Sequence, residues 1–197
     1  MQPFKNLQSL ALTLPLANTD TDQLIPARFM KRPRSEGYGT FLLHDLRHGD
    51  SRNDMVSKLD APASAGAGIL ISRRNFGCGS SREAAVYALV DFGIRCVIAP
   101  SFGDIFASNS VKNGVLPAIA SEEDVEELLA NGDGTLTIDL AAQVISSTNR
   151  DYGFSIDAGW KEQLLNGWDD IDLTRARKRE IDTWRQADIK RRPWASF

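Results

Sequence analysis

The sequence predicts an α/β protein of three layers, in which β-rich portions pack on a β/α unit. Three observations carry that expectation. Between Gly68 and Gly132 short apolar runs alternate with helical patterns, as in a parallel sheet with crossover helices. From Gly134 to Asp157 the apolar residues recur at every second position, as in antiparallel strands. A helical, charged end follows, over about 158–194. With 197 residues and 42% hydrophobic content, the chain can bury one real core, so 1–197 is expected to be a single domain.

The elements follow in order. LQSLALTLPL (7–16) alternates well enough for a strand. NTDTDQLIPARF supplies turn-forming oxygens, and Pro26 bars a regular continuation. About 30–68 is irregular, with FLLHDLR a short helix or strand inside it; so long a stretch without periodicity is often functional or mobile. GILIS (68–72) is a buried strand, NFGCG a turn, and SSREAAVYALVDFG a helix. RCVIA (95–99) is the next strand. The helix SFGDIFASNSVKNG starts at Pro100–Ser101 and ends at Asn113–Gly114. VLPAIA is a third strand, and Ser121 and Asp124 form a capping-box pattern at the head of SEEDVEELLANG. TLTIDL, AQVISST and YGFSID are the antiparallel strands, with NRDYG as a turn.

Composition excludes several functions. A net charge of −3 argues against a nucleic-acid footprint, which needs a concentrated basic surface. The two cysteines, Cys78 and Cys96, and the two histidines, His44 and His48, give no disulfide framework or zinc spacing. Nor do two thiols suffice for an iron–sulfur cluster, which takes about four. A reducing compartment fits. The N-terminal apolar stretch is short and interrupted, without a cleavage site, so a cytoplasmic protein with no membrane span is expected.

Chemistry concentrates in NFGCGSSRE (75–83). Ser80-x-x-Glu83 is a capping-box pattern, and Gly77 and Gly79 permit a sharp turn; such a helix start needs no catalytic role. The same atoms also make an anion site. A strand, a glycine-rich turn and a helix N-terminus point backbone N–H groups outward with the positive dipole end behind them. Arg82 adds a fork suited to a carboxylate or phosphate, at a helix end where a cation is unfavourable, so another partner is expected for it. Neither G-x-x-x-x-G-K-[ST] nor G-x-G-x-x-G is present, and a small hydroxy acid's carboxylate is the better fit. Ser80 can act as a base only if that positive surround stabilises its alkoxide.

NTDTDQLIPARF, NFGCGSSRE and VIAPSFGDIFASNSVKNGVLP together resemble the small subunits of 3-isopropylmalate dehydratase, in the aconitase superfamily, over about residues 4–190. The resemblance implies the β/β/α swivelling domain of the aconitase C-terminal domain. It implies a hydro-lyase that isomerises 2-isopropylmalate and 3-isopropylmalate by dehydration and rehydration, in leucine biosynthesis. It implies a large partner subunit carrying a 4Fe–4S cluster, with no cofactor on this chain. By position, Ser80 matches the base and Ser81 a neighbouring hydroxyl. Arg82 matches the substrate-carboxylate ligand, and Asp22 a carboxylate of the hydrogen-bond network. Arg34, Gly37 and Tyr38 fall in the segment that faces the variable substituent of the malate. The family's usual SREHAPWAL is here Ser81-Arg82-Glu83-Ala84-Ala85-Val86-Tyr87-Ala88-Leu89, without its histidine, proline and tryptophan. That departure leaves two alternatives open: a paralogue for a methyl- or dimethylmalate, or a carboxylate-binding module without catalysis.

Other residues have plainer roles. Cys78 reads as a small packed thiol, with a redox role as its alternative, and Cys96 as core. His44 and His48 read as surface or local hydrogen-bonding groups. Asp20 and Asp22 are a candidate metal pair that turn formation explains equally well. Asn109 and Ser110 read as helix packing, near the subunit junction if the resemblance holds. Trp160, Trp168, Trp184 and Trp194 are packing or partner surface. The basic run Arg175–Arg179 reads as a solvated helix face.

Overall fold

A computed structural model describes residues 1–48, 53, 56, 58–132 and 134–195. One seven-stranded sheet runs in the order β4-β3-β2-β1-β5-β6-β7. The strands are β1 (Asn6–Leu14), β2 (Ile69–Ser72), β3 (Cys96–Ala99), β4 (Leu116–Ile119), β5 (Gly134–Asp139), β6 (Val144–Ser146) and β7 (Asp151–Gly153). Strands β1 to β4 are parallel, with Ala11 opposite Ile69 and Ile69 opposite Cys96. On its other side β1 is antiparallel to β5, and the antiparallel pairing continues through β6 to β7.

The parallel strands are buried on both faces, which is why they read as continuous apolar runs. Leu12, Leu14, Leu70, Val97 and Ala99 face one core, shared with Ala85, Val86 and Leu89 of a covering helix. Ala11, Ile69, Ile71, Cys96 and Ile98 face a second core, shared with Leu136, Ile138, Ile145 and Tyr152 of the antiparallel strands. The antiparallel part therefore curls over the parallel part. The two edges meet where Ile119 N–H donates to Ser155 (3.0 Å) and Ser155 N–H donates back (2.8 Å). The layers are helix, parallel strands, antiparallel strands, which is the β/β/α order expected.

Among the described residues the helices are α1 (Thr21–Leu24), α2 (His44–His48), α3 (Glu83–Phe92), α4 (Asp104–Lys112), α5 (Glu122–Asn131), α6 (Ala158–Asn166), α7 (Asp170–Ala176) and α8 (Lys178–Arg191). Ser121 caps α5 by accepting from Asp124 N–H, as its sequence pattern predicts. FLLHDLR contributes α2, and the chain around it forms short 3-10 turns, at Ala27–Lys31, Arg34–Glu36, Tyr38–Phe41, Lys58–Asp60 and Pro62–Ser64. Most of HGDSRNDM lies outside the described residues. Among the described residues no helix is long and apolar enough to cross a membrane.

Two helix starts differ from expectation. The helix after SSRE begins at Glu83, and its N-cap is Arg82, in extended conformation with no side-chain cap bond. Ser80 is therefore not the cap. The reason is tertiary: residues 76–78 bridge to 20 and 102, which keeps the chain extended past the turn. The next helix begins at Asp104 behind Gly103, three residues later than Ser101.

Candidate active site

The site lies at the carboxyl ends of β1, β2 and β3, where ligands of parallel α/β sheets gather. Three loops meet there. Gly77 N–H donates to Thr19 (2.7 Å) and Thr21 N–H to Cys78 (3.0 Å), joining the first loop to the second. Phe76 N–H donates to Ser101 (3.0 Å) and Gly103 N–H to Phe76 (2.9 Å), joining the second to the third. The turn between them needs its glycines. Gly77 has φ +71°, and a Cβ there would fall 2.1 Å from the Phe106 ring.

These loops enclose a cleft of about 170 Å³ lined by Thr21, Cys78, Ser80, Arg82, Asp104 and Phe106, among others. Ser80 is exposed, and its hydroxyl has no partner among the described residues. Arg82 is the less exposed member, its side chain 18% accessible, and it forms an ion pair with Asp22. That pairing supplies the partner the sequence implied for a cation at a helix N-terminus. The α3 N-terminus carries no side-chain cap, so its first-turn N–H groups stand beside Arg82 and Ser80. Ser81 is exposed between them. The arrangement sets one free hydroxyl beside a guanidinium and a helix N-terminus, the groups that an anion site uses.

Asp20 has a local task. It caps α1 by accepting from Gln23 N–H (2.7 Å), while Gln23 accepts from Asp20 N–H (2.9 Å). Burial and the Asp20 carboxylate raise the Cys78 thiol above its ordinary range, so the thiol is protonated and a poor nucleophile. Cys96 is fully buried and pushed higher still.

The structure does not bring Arg34, Gly37 and Tyr38 to this cleft. Arg34 grips Asp91 (2.8 and 3.2 Å) and lies 4.0 Å over the Tyr87 ring. Tyr38 is buried, its hydroxyl donating to Arg32 O (2.7 Å) and its N–H to Asp91 (3.1 Å). Asp91 is eight residues beyond Glu83, about 12 Å down the helix. Gly37 joins two of these turns at φ +85°.

Comparison with known proteins gives the family. Residues 1–123 match the family described as the aconitase C-terminal domain. A 3-isopropylmalate dehydratase small subunit of Sinorhizobium medicae is 45% identical over 205 residues, covering 99% of this chain and 100% of that protein. One from Rhodospirillum centenum is 45% identical over 203 residues, covering 99% of each. The chain belongs to the 3-isopropylmalate dehydratase small-subunit family. The fold agrees too: a crystal structure of 3-isopropylmalate dehydratase from Methanocaldococcus jannaschii superposes with TM-score 0.66 at 25% identity, covering 90% of this chain and 98% of that one.

Among the described residues no group of three or more His, Cys, Asp or Glu could hold an ion. Cys96 sits in the core and Cys78 in the cleft, so the two thiols face different surroundings. His44 bonds Asp45 (3.2 Å) and stands edge-on to His48 (5.1 Å), a local surface arrangement. Ser110 is buried and donates to Phe106 O (2.8 Å), which is helix packing. Sequence inspection passed over Thr21 and Gly103. The signal for Thr21 was its place inside TDTD; for Gly103, that a Cβ would fall 2.6 Å from Gly77 O, no local pattern existed.

Proposed function

We propose that this chain is the non-autonomous half of a hydro-lyase that interconverts 2-isopropylmalate and 3-isopropylmalate by dehydration and rehydration, in leucine biosynthesis. The family assignment supplies the reaction class, and the shared cleft of Ser80 and Arg82 at an uncapped helix N-terminus is the observation that carries the role. Arg82 grips a substrate carboxylate with its planar fork. The α3 N-terminus and Arg82 lower the cost of an alkoxide at Ser80, whose oxygen takes the carbon-bound proton. Ser81 offers a second hydroxyl to the substrate. Asp22 orients the Arg82 guanidinium through their ion pair. Arg34, Gly37 and Tyr38 have no substrate role in this reading, because they are engaged along α3.

The name small subunit implies a large partner subunit, and in this reading that partner covers the cleft. In this reading that subunit carries the 4Fe–4S cluster; among the described residues of this chain no group of three or more His, Cys, Asp or Glu could hold a metal. The test is reconstitution with the cognate large subunit, followed by the absorbance of the unsaturated intermediate. Ser80→Ala is expected to lower kcat by about 10³ or more, about 4 kcal/mol in the barrier, with the two subunits still co-eluting. Arg82→Lys keeps the charge and loses the fork, so KM for the malate rises about tenfold or more. A Ser80→Ala complex that turns over normally would refute the reading.

A further inference from the structure

The stretch Asp20-Thr21-Asp22 places three side chains against the active turn. Asp20 caps α1, and Asp22 holds Arg82. Thr21 lies between them, 2% exposed. Its N–H donates to the Cys78 carbonyl (3.0 Å) and its hydroxyl to the Ser80 carbonyl (2.8 Å). One residue therefore holds two carbonyls, two positions apart, in the turn that presents the Ser80 hydroxyl.

The Ser80 carbonyl has no helical reason to be fixed. Helix α3 starts at Glu83 with Arg82 as its N-cap, so the Ser80 peptide lies outside it. The residue before it, Gly79, sits at φ +89°, where a Cβ would be in ordinary contact with Asp20 Cβ (3.5 Å) and Thr21 Oγ1 (3.8 Å). Glycine's wide φ/ψ range leaves the Ser80 backbone that follows it free to rotate. Such a rotation swings the Ser80 Cα–Cβ bond and moves its oxygen away from Arg82. Among the described residues, the Thr21 hydroxyl is the side-chain donor that stops it.

We infer that Thr21 is a positioning residue for Ser80: its buried hydroxyl fixes the Ser80 peptide plane and thereby aims the base. This rests on the assignment of Ser80 as the base. Thr21 lines the same cleft, but its hydroxyl is committed to the Ser80 carbonyl. Reaction rate is sensitive to such aim, since a misplacement of about 1 Å costs about 10²-fold.

Thr21→Val separates aim from packing. It keeps the shape and the backbone N–H bond to Cys78 and removes only the hydroxyl. In the reconstituted complex, Thr21→Val is expected to lower kcat about 10- to 100-fold with KM within about threefold. Thr21→Ser keeps the donor and is expected to hold kcat within about threefold of the parent. Two results overturn the inference. One is Thr21→Val with kcat within about twofold of the parent. The other is Thr21→Ser and Thr21→Val losing activity equally, in step with their Tm, which is the pattern of a purely packing residue. Ser80→Ala, measured alongside, separates the two levels. If Ser80→Ala turns over normally, the base assignment fails. If Ser80→Ala is inactive and Thr21→Val is normal, only the role of Thr21 fails.

Discussion

At Gly103 the missing side chain is a requirement of the site. The carbonyl of Gly77 stands 2.6 Å from where a Cβ would be, and both atoms belong to backbone that ladders against backbone. Relief would require the third loop to leave the second. Gly103→Ala is therefore expected to destabilise the protein by about 2–3 kcal/mol and to widen the cleft, read as a lower urea midpoint together with lower kcat. Gly134 makes the contrast: its Cβ would meet nothing within 4 Å and its φ is not positive, so Gly134→Ala is expected to leave stability within about 0.5 kcal/mol. Equal effects at the two positions would remove the close-approach argument. Thr19 carries a different kind of constraint. Its hydroxyl oxygen is buried without a partner among the described residues, directly beneath the Gly77 N–H bond to its carbonyl. An unpaired buried hydroxyl costs about 1–3 kcal/mol, so Thr19→Val, of the same shape, is expected to raise the urea midpoint. A lower midpoint would show that the hydroxyl is satisfied in solution.

Among the elements, α3 does two jobs at its two ends. Its N-terminus forms the cleft, while its C-terminal half clamps the segment that runs through the 3-10 turns. Gly39 backs onto that half so closely that a Cβ would fall 2.6 Å from Asp91 and Phe92 backbone atoms. Asp91, with its side chain 19% accessible, accepts from both Arg34 and the Tyr38 N–H. Asp91→Ala breaks all of these bonds at once. It is expected to cost about 1–3 kcal/mol and to speed amide exchange in residues 32–41 while β2 and β3 stay protected. Uniform acceleration would mean the clamp is not local. The same segment has an acid-sensitive tie. The Arg28 guanidinium holds the Asp45 carboxyl down at about 2, the first of several causes in that direction. A carboxyl depressed on folding contributes stability that is present above its unfolded value of about 4 and lost as pH falls toward 2. The urea midpoint is expected to fall between pH 4 and 2, and to fall less in Asp45→Asn. The sequence showed α3 by its apolar periodicity, but not its start. Ser80-x-x-Glu83 satisfies the local capping rule, and bridges from residues 20 and 102 overrule it. The true capping box, Asp20 with Gln23, was hidden because α1 has only four residues and no periodicity to mark it.

The whole molecule was legible as a list of strands and helices and much less as a closure. Alternation and apolar runs identified β1 to β6, since each is encoded by its own residues, whereas β7 (Asp151–Gly153) lies within NRDYG, expected as a turn, and YGFSID overlaps only its last two residues. That β1 would sit between β2 and β5, and that Ile119 would meet Ser155, depends on pairing across long separations, which no window of sequence carries. The cleft was legible for a different reason: Asp22, Ser80 and Arg82 stood in motifs whose residues matched a known family. The chain's last helix tests how far the cooperative unit extends. Helix α8 has no buried residue, and Trp184 is 63% exposed and Ile189 47% exposed. A 14-residue helix is marginal in water without tertiary packing, so α8 contributes almost nothing to the core it follows. Trp160, by contrast, packs against the second core. Truncation after Ala176 is therefore expected to leave the Tm of the isolated chain within about 2 °C and to remove the most iodide-quenchable part of its tryptophan fluorescence, that of Trp184 and Trp194. In the intact chain, the α8 amides are expected to exchange orders of magnitude faster than those of β2 and β3. A drop of about 5 °C or more, about 2 kcal/mol for a domain of this size, would show that α8 packs on the domain and belongs to the same folding unit.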